Sequence, residues 1–292
     1  MKPALFTGNV IVQGITGSHG AFHTHNMLMY GTNIVAGTSP TKAGSKTPDN
    51  IPVYASIRDI QANTAVDVSV VFVPAAHAKS AIFEAIDAHV PLIVCITEHI
   101  PVHDMLQIRQ YLKGKFSRLI GPNCPGVLVP GSTLLGIIPA RLAVAGTTAV
   151  VSRSGTLTYE AMDLLTHRGL GQKYIIGIGG DMVKGTSFID CLKLFEDDPD
   201  VTEIVMIGEI GGVDEIEAAD YIKKSVTKPV YAYIAGHAAP AGVQMGHAGA
   251  IMGTNSLESA DAKTQYLRES GAVVADSITE LIANIPSRDY TT

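Results

Sequence analysis

Met245-Gly246-His247-Ala248-Gly249-Ala250-Ile251 is the segment of this chain best suited to covalent chemistry. It lies within Ala235–Asn255, a stretch with five glycines and no charged residue. Loops of this length inside a compact domain are usually functional or disordered, and disordered ones are typically polar. Glycine and alanine let backbone approach a ligand or another wall closely. An imidazole held there is a candidate nucleophile or group carrier; the plainer alternative is a surface histidine on a flexible loop. A second chemical element is Gly208-Glu209-Ile210-Gly211-Gly212, one carboxylate among glycines after an apolar run. A third is Ser152-Arg153-Ser154-Gly155-Thr156, where hydroxyls and free amides at a helix start make an anion site. If the preceding strands share one parallel sheet, these ends lie on one edge, and Glu209, His247 and Ser154 converge. A carboxylate that accepts the Nδ1–H of His247 leaves Nε2 free to attack. A phosphoryl group on that nitrogen would face the positive end of the helix dipole. Read singly, Glu209 is as well a solvated or capping acid.

The N-terminal part offers a different chemistry. Gln13-Gly14-Ile15-Thr16-Gly17-Ser18-His19-Gly20 follows a strand-like run and opens a helix, the arrangement that cradles phosphate on backbone amides. Its G-x-x-G-x-x-G spacing is one residue longer than the dinucleotide fingerprint. No acid follows the second strand until Asp49, so the ribose-binding carboxylate of an NAD site is missing. Lys42 stands there instead and suits a ribose phosphate, as in NADP or coenzyme A. Pro74-Ala75-Ala76 and Ile96-Thr97-Glu98 close later strands and are expected to line the same groove. His19, His23 and His25 lack the carboxylate or cysteine pattern of a metal site, and no metal is expected. Cys124 reads as a buried, inert thiol. There is no G-x-x-x-x-G-K-[ST] run, so a phosphohistidine chemistry would need a partner chain to bring the nucleotide.

The elements that must position these residues follow from periodicity. Val10–Gln13, Ile34–Thr38, Val68–Val73, Leu92–Thr97 and Leu119–Ile120 read as strands, with helices over Gly20–Tyr30, Ala78–His89 and Val102–Lys113 between them. Gly121–Gly146 carries five glycines and four prolines and reads as a linker. A second series has strands at Thr148–Ser152, Tyr174–Ile178, Ile204–Gly208, Val230–Ile234 and Val273–Val274. Its helices fall near Thr156–His167, Thr186–Phe195, Asp214–Lys224 and Glu258–Glu269. The expected fold is α/β in two doubly wound parallel-sheet domains. Residues 1–125 form the first domain, 126–146 the linker and 147–292 the second domain.

Composition agrees. The 292 residues are 46% hydrophobic and 16% charged, which favours buried cores over disorder. A net charge of −6 without a basic block argues against nucleic acid. No apolar run approaches the length of a membrane span. Three isolated cysteines favour a reducing compartment. The first strand begins too early to leave room for a leader. A cytoplasmic location is expected, with a matured mitochondrial matrix chain as the other reading.

Taken in order, Gln13–Gly20, Gly121–Gly126, Ser152–Glu160, Gly177–Asp181, Ile204–Gly212 and Met245–Ile251 resemble the α subunit of succinyl-CoA synthetase, nearly end to end. The resemblance implies a Rossmann-like CoA-binding domain followed by a flavodoxin-like ligase domain. It also implies a β subunit with an ATP-grasp site for ATP or GTP and Mg²⁺, assembled as αβ or (αβ)₂. It implies a reversible reaction of succinate, CoA and nucleoside triphosphate through an acyl phosphate and a phosphohistidine. His247 matches the phosphorylated histidine and Glu209 its supporting glutamate. CoA contacts fall on Thr16, Gly17, Ser18, His19, Lys42, Ile96, Thr97 and Glu98. Substrate and phosphate contacts are expected at Asn123, Ser154, Gly155, Thr156 and Tyr159. Ala241-Gly242-Val243-Gln244 is uncharged where the family usually carries a basic stretch, and Gly180–Gly185 and Ile138–Leu142 also depart from its pattern. Malate–CoA ligases share most of these motifs, but Ser154–Tyr159 and Cys124-Pro125-Gly126 are more similar to the succinate enzymes. Readings from other classes are an NADP-dependent dehydrogenase, which leaves Glu209 and the His247 loop unexplained, and a non-catalytic CoA-binding module.

Overall fold

The computed structural model describes residues 1–240 and 242–287. Ala241 and the last five positions of the expected second domain lie outside the described residues.

The first sheet is built from β1 (Val10–Gln13), β2 (Ile34–Thr38), β3 (Val53–Tyr54), β4 (Val68–Val71), β5 (Leu92–Cys95) and β6 (Arg118–Ile120). All neighbours are parallel, in the order β3-β2-β1-β4-β5-β6, the Rossmann arrangement. Its helices are α1 (Ser18–Tyr30), α2 (Ile57–Gln61), α3 (Ala75–Asp87) and α4 (Val102–Leu112). Every residue of β1, β4 and β5 is buried, which a sheet covered on both faces requires. α1 stops at Gly31, whose φ of 99° lets its N–H return to the helix carbonyls. The sequence reading missed β3 and α2, which are too short to show a period.

The second sheet contains β7 (Gly126–Val129), β8 (Thr133–Gly136), β9 (Ala145–Ser152), β10 (Gln172–Gly177), β11 (Glu203–Glu209), β12 (Val230–Ala235) and β13 (Val273–Val274). Its order is β13-β12-β11-β9-β10-β7-β8. The parallel part, β9 to β13, has the flavodoxin-like winding. The helices are α5 (Gly155–His167), α6 (Phe188–Asp197), α7 (Asp214–Ser225), α8 (Ala260–Glu269) and α9 (Ile278–Ala283). Ser154 caps α5, and Ser187 with Asp190 forms a capping box on α6. α7 has acids in its first turn and lysines in its last, as the helix dipole favours.

Residues 126–146 are more than a linker. β7 and β8 form an antiparallel hairpin, and β7 joins the second sheet antiparallel to β10. The reason is apolar content: Val127, Leu128, Leu134 and Leu135 are buried. The glycines there permit close backbone approach rather than break structure, since a Cβ on Gly126 would lie 2.0 Å from the Leu135 carbonyl oxygen. The hairpin is also tied to the first domain. Thr32 Oγ1 donates to the Leu134 carbonyl at 2.8 Å and accepts from its N–H at 3.0 Å, and Gly131 N–H donates to Tyr30 Oη at 2.9 Å. One apolar cluster accordingly runs from β1 and β4 through Cys124 and the hairpin into the second sheet. A separate cluster fills the face of the first sheet under α2, α3 and α4. No helix among the described residues is long and apolar enough to cross a membrane.

Candidate active site

Because β9, β10, β11 and β12 are parallel neighbours, their carboxyl ends share one edge of the sheet. β11 ends at Glu209, β9 leads into Arg153, β10 into Ile178–Asp181, and β12 into the His247 loop. Glu209 Oε2 lies 2.7 Å from His247 Nδ1. An ionised carboxylate can only accept, so Nδ1 carries the hydrogen and, in the neutral ring, Nε2 is left with a lone pair. Glu209 is 8% exposed and the His247 side chain 26%, so the acid is sealed while the ring stays reachable. Arg153, itself buried, brings Nε to 3.2 Å from the other oxygen of Glu209, an ion contact without hydrogen-bond alignment.

The loop carrying His247 has no strand or helix among its described residues, yet it is tied to itself. Gly242 N–H donates to the Met252 carbonyl, Met245 N–H to Ala250, and Ala250 N–H to His247. Three glycine contacts bind it to the sheet edge. Gly249 N–H donates to the Gly180 carbonyl at 2.9 Å. A Cβ on Gly211 would lie 2.1 Å from the Gly249 carbonyl oxygen. A Cβ on Gly180 would lie 2.2 Å from His247 Cγ, so this glycine forms the wall against which the ring lies. The stretch was legible as a long small-residue loop; its dependence on Gly180 was not.

Electrostatics at this edge follow from the pairing. The hydrogen bond to Glu209 raises His247 above the ordinary histidine value, while burial and Arg153 pull the other way. Arg153, Glu215 and Lys263 make a second buried layer behind Glu209. Burial opposes ionisation of Glu215, but Arg153 and Lys263 outweigh it and hold the carboxyl below its usual range. Lys184 does the same for Asp214, 2.7 Å away. The sequence reading assigned no role to Arg153, Glu215 or Lys263. A signal existed: Ala260, Lys263, Thr264 and Leu267 form the buried stripe of α8, and a lysine in such a stripe calls for a partner.

Three clefts lead from the first domain to His247. The first, about 680 Å³, is lined by Thr16, Gly17, Ser18 and His19, with Ser39–Thr41 and Phe72–Pro74 across it. Thr16 Oγ1 donates to Ser39 Oγ at 2.9 Å, and Gly17 begins α1 with no side-chain cap, so the first amides of the helix are free for an anion. The second cleft, about 390 Å³, shares His19, Phe72 and Val73 with the first and adds Ile96, Thr97 and Glu98. The third, about 340 Å³, shares Glu98 with the second and reaches Asn123, Asp181 and His247. Asn123 Nδ2 donates to Asp181 Oδ1 at 2.9 Å, across the two domains.

Other expected residues stand differently. Lys42 is exposed at the end of a 3-10 turn, Pro40–Lys42, beside the first cleft but outside its lining. Ser154, Gly155, Thr156 and Tyr159 do not line the cleft at His247. The Ser154 hydroxyl is occupied in capping α5 through Leu157 N–H. Tyr159 is half-buried, burial pushes its phenol up to about 12, and a Cβ on Gly155 would lie 3.8 Å from its hydroxyl. Cys124 is buried, and burial pushes its thiol well up, as an inert thiol should be. His23 stacks on Phe72 and His25 pairs with Asp49, so the three N-terminal histidines do not act as one group.

Residues 7–99 match the CoA binding domain family and residues 151–273 the CoA-ligase family. The succinate–CoA ligase [ADP-forming] subunit alpha of Staphylococcus epidermidis is 49% identical over 272 residues, covering 93% of this chain and 89% of that protein. The same subunit of Staphylococcus aureus is 48% identical over the same span. Among solved structures, ATP citrate lyase of Methanosaeta concilii in complex with (3S)-citryl-CoA is 27% identical with a TM-score of 0.83. It is matched over 95% of this chain, which spans about half, 49%, of the lyase. A dinucleotide forming acetyl-coenzyme A synthetase of Ca. Korarchaeum cryptofilum, 22% identical with a TM-score of 0.76, shares the fold over 96% of this chain and 60% of its own. Two domain families in the expected order and near-full-length identity to named subunits place this chain in the succinate–CoA ligase α-subunit family.

Proposed function

We propose that His247 is the phosphoryl carrier of this ligase, with Glu209 as its orienting acid, and that coenzyme A reaches it along the three clefts. The observation that carries the reading is the 2.7 Å contact of Nδ1 with a sealed carboxylate, made by a His247 ring that lines a cleft shared with the first domain and leaves Nε2 unpaired with Glu209. Glu209 fixes the ring and its tautomer and stabilises the imidazolium as charge develops on it. Neutral Nε2 takes the phosphoryl group, and the proton stays on Nδ1 against Glu209. The relatives are named as ADP-forming, and we extend that nucleotide to this chain. An ATP-grasp β subunit would hold the nucleotide with Mg²⁺, because this chain has no phosphate loop of its own.

In the first domain, the α1 amides and Thr16 to His19 would hold pyrophosphate, and Lys42 would swing in to the ribose phosphate from the cleft rim. Ile96, Thr97 and Glu98 would guide the pantetheine toward Asn123. The free amides and Gly14 fit such a group: Gly14 has φ 84°, and a Cβ on Gly20 would lie 2.2 Å from the Gly14 carbonyl oxygen, so only glycine closes the turn. Ser154, Gly155, Thr156 and Tyr159 would serve the anion side at the start of α5. Residues 1–125 and 147–292 would act as the CoA and ligase units.

The test is incubation with the partner subunit and γ-³²P-labelled ATP or GTP. Label on this chain that is lost in acid and kept in base is expected for the wild type. His247→Asn should fold, bind CoA and take up no label; acid-labile label on that variant would sink the assignment.

A further inference from the structure

Glu209 is held by hydrogen bonds at its backbone N–H, its backbone carbonyl and Oε2, and by an ion contact alone at Oε1, and only one of the holders is His247. Its backbone N–H donates to Glu215 Oε1 at 3.2 Å, and its backbone carbonyl accepts from Lys263 Nζ at 2.7 Å. Its Oε1 faces Arg153 Nε at 3.2 Å, and only Oε2 remains for the imidazole. The three other holders are bound to one another. Arg153 donates to Glu215 Oε1 at 3.0 Å, Lys263 donates to Glu215 Oε2, and both cations donate to the Gly211 carbonyl. Their side chains are 2%, 0% and 0% exposed for Arg153, Glu215 and Lys263. The three come from separate places in the fold: the residue after β9, the first turn of α7 and the buried stripe of α8.

Stability alone is a poor reason for such a cluster. Burying charges is costly, and well-packed apolar residues of similar volume are often as stable. What a satisfied buried network supplies is a single fixed geometry. Here that geometry converges on one residue. We propose that Arg153, Glu215 and Lys263 are positioning residues that clamp Glu209 by its backbone and its far oxygen, so that Oε2 addresses only Nδ1 of His247. The inference rests on His247 as the phosphoryl acceptor.

The clamp also has an electrical side. Glu209 and Glu215 are matched by Arg153 and Lys263, so the cluster is neutral as a unit. The titratable and charged groups around His247 are Glu209 from β11, Arg153 after β9 and Asp181 after β10, with Glu98 and His99 lining the same cleft. Arg153 opposes the upward pull of Glu209 on the imidazole, which keeps more of His247 neutral and nucleophilic near neutral pH. Arginine suits this place better than lysine, because its fork reaches Glu209 and Glu215 together while a single ammonium does not.

The experiment uses the whole chain with potassium phosphoramidate, a small phosphoryl donor that needs neither nucleotide nor partner. A neutral histidine displaces ammonia from it and takes the phosphoryl group. Modification of His247 is read by mass spectrometry, and its titration by imidazole NMR. Two variants are compared: Arg153→Lys, which keeps the charge, and Arg153→Gln with Glu215→Gln, which removes one charge of each sign. Both should bind CoA as the wild type does. Both should be phosphorylated roughly 10²-fold more slowly, the loss expected from a small misplacement of a reacting group. The double variant should also titrate His247 at higher pH, moving the lower limb of its pH–rate profile upward; Arg153→Lys should leave that limb nearly in place. Should the double variant not fold, Arg153→Lys carries the test alone. Wild-type rates in Arg153→Lys would overturn the clamp. A wild-type chain that takes no phosphoryl group on His247 would instead remove the reading beneath it.

Discussion

At the scale of single residues, Gly180 shows how much of this site is made of absence. The ring of His247 occupies the space a side chain at 180 would fill, so Gly180→Ala puts a methyl group 2.2 Å from Cγ. Backbone cannot yield cheaply there, because the Gly180 carbonyl also accepts from Gly249 in the same loop. The imidazole must move away from Glu209. Phosphorylation of Gly180→Ala should fall by about 10²-fold, as displacement of about 1 Å does elsewhere, while CoA binding, set in the other domain, should stay unchanged. Equal labelling rates for variant and wild type would mean that the loop shifts with its ring and that the wall is unimportant. His247 and Glu209 were legible in the sequence because glycine-rich strand ends advertise themselves. Gly180 was legible only as one glycine in a strand-end loop, since nothing local says which ring it will meet.

Among elements, the instructive contrast lies between strands and the segments around them. The principal parallel strands could be read because both faces are buried and the apolar runs are continuous. The β7–β8 hairpin could not, because its glycines and prolines are the residues that ordinarily announce a linker, and here they serve close packing. In the sequence the start of α7 read only as the beginning of a helix near Asp214–Lys224. In the structure Asp214 and Glu215 turn inward and pair with Lys184, Arg153 and Lys263. That inward turn has a pH signature. Both acids have folded values below their ordinary range, so their contribution to stability is complete above that range, near pH 4. It is lost as pH falls through the depressed values. His247, raised by Glu209, contributes in the opposite sense: fully below about 6.5, its ordinary value, and fading as pH rises through the folded one. Urea denaturation across pH should therefore give a steep loss of stability below about pH 4. In Glu215→Gln the curve should start lower and be flatter in that acid range. An unchanged acid limb in the variant would show that other carboxylates set it.

For the whole molecule, the chemistry depends on two sheets being held in register, since the proposed path from α1 to His247 crosses from one to the other. Asn123 and Asp181 meet across that line, and Glu98 belongs to both the second and third clefts. Phe6, near the chain start, lies 5.9 Å from the ring of Tyr174 in β10. The hairpin is the strongest tie, paired by its backbone with β10 and bonded by Leu134 and Gly131 to the end of α1. Because the apolar cluster beneath it continues from one sheet into the other, neither half can melt without stripping the cover from its neighbour. Heat should find one cooperative unit where a count of domains would suggest two. Scanning calorimetry of the chain should give a single absorption peak with matching calorimetric and van't Hoff enthalpies; two separated peaks would mean the halves unfold independently. A hairpin that looks like spacer is in this sense the splint that turns two folding units into one thermal body.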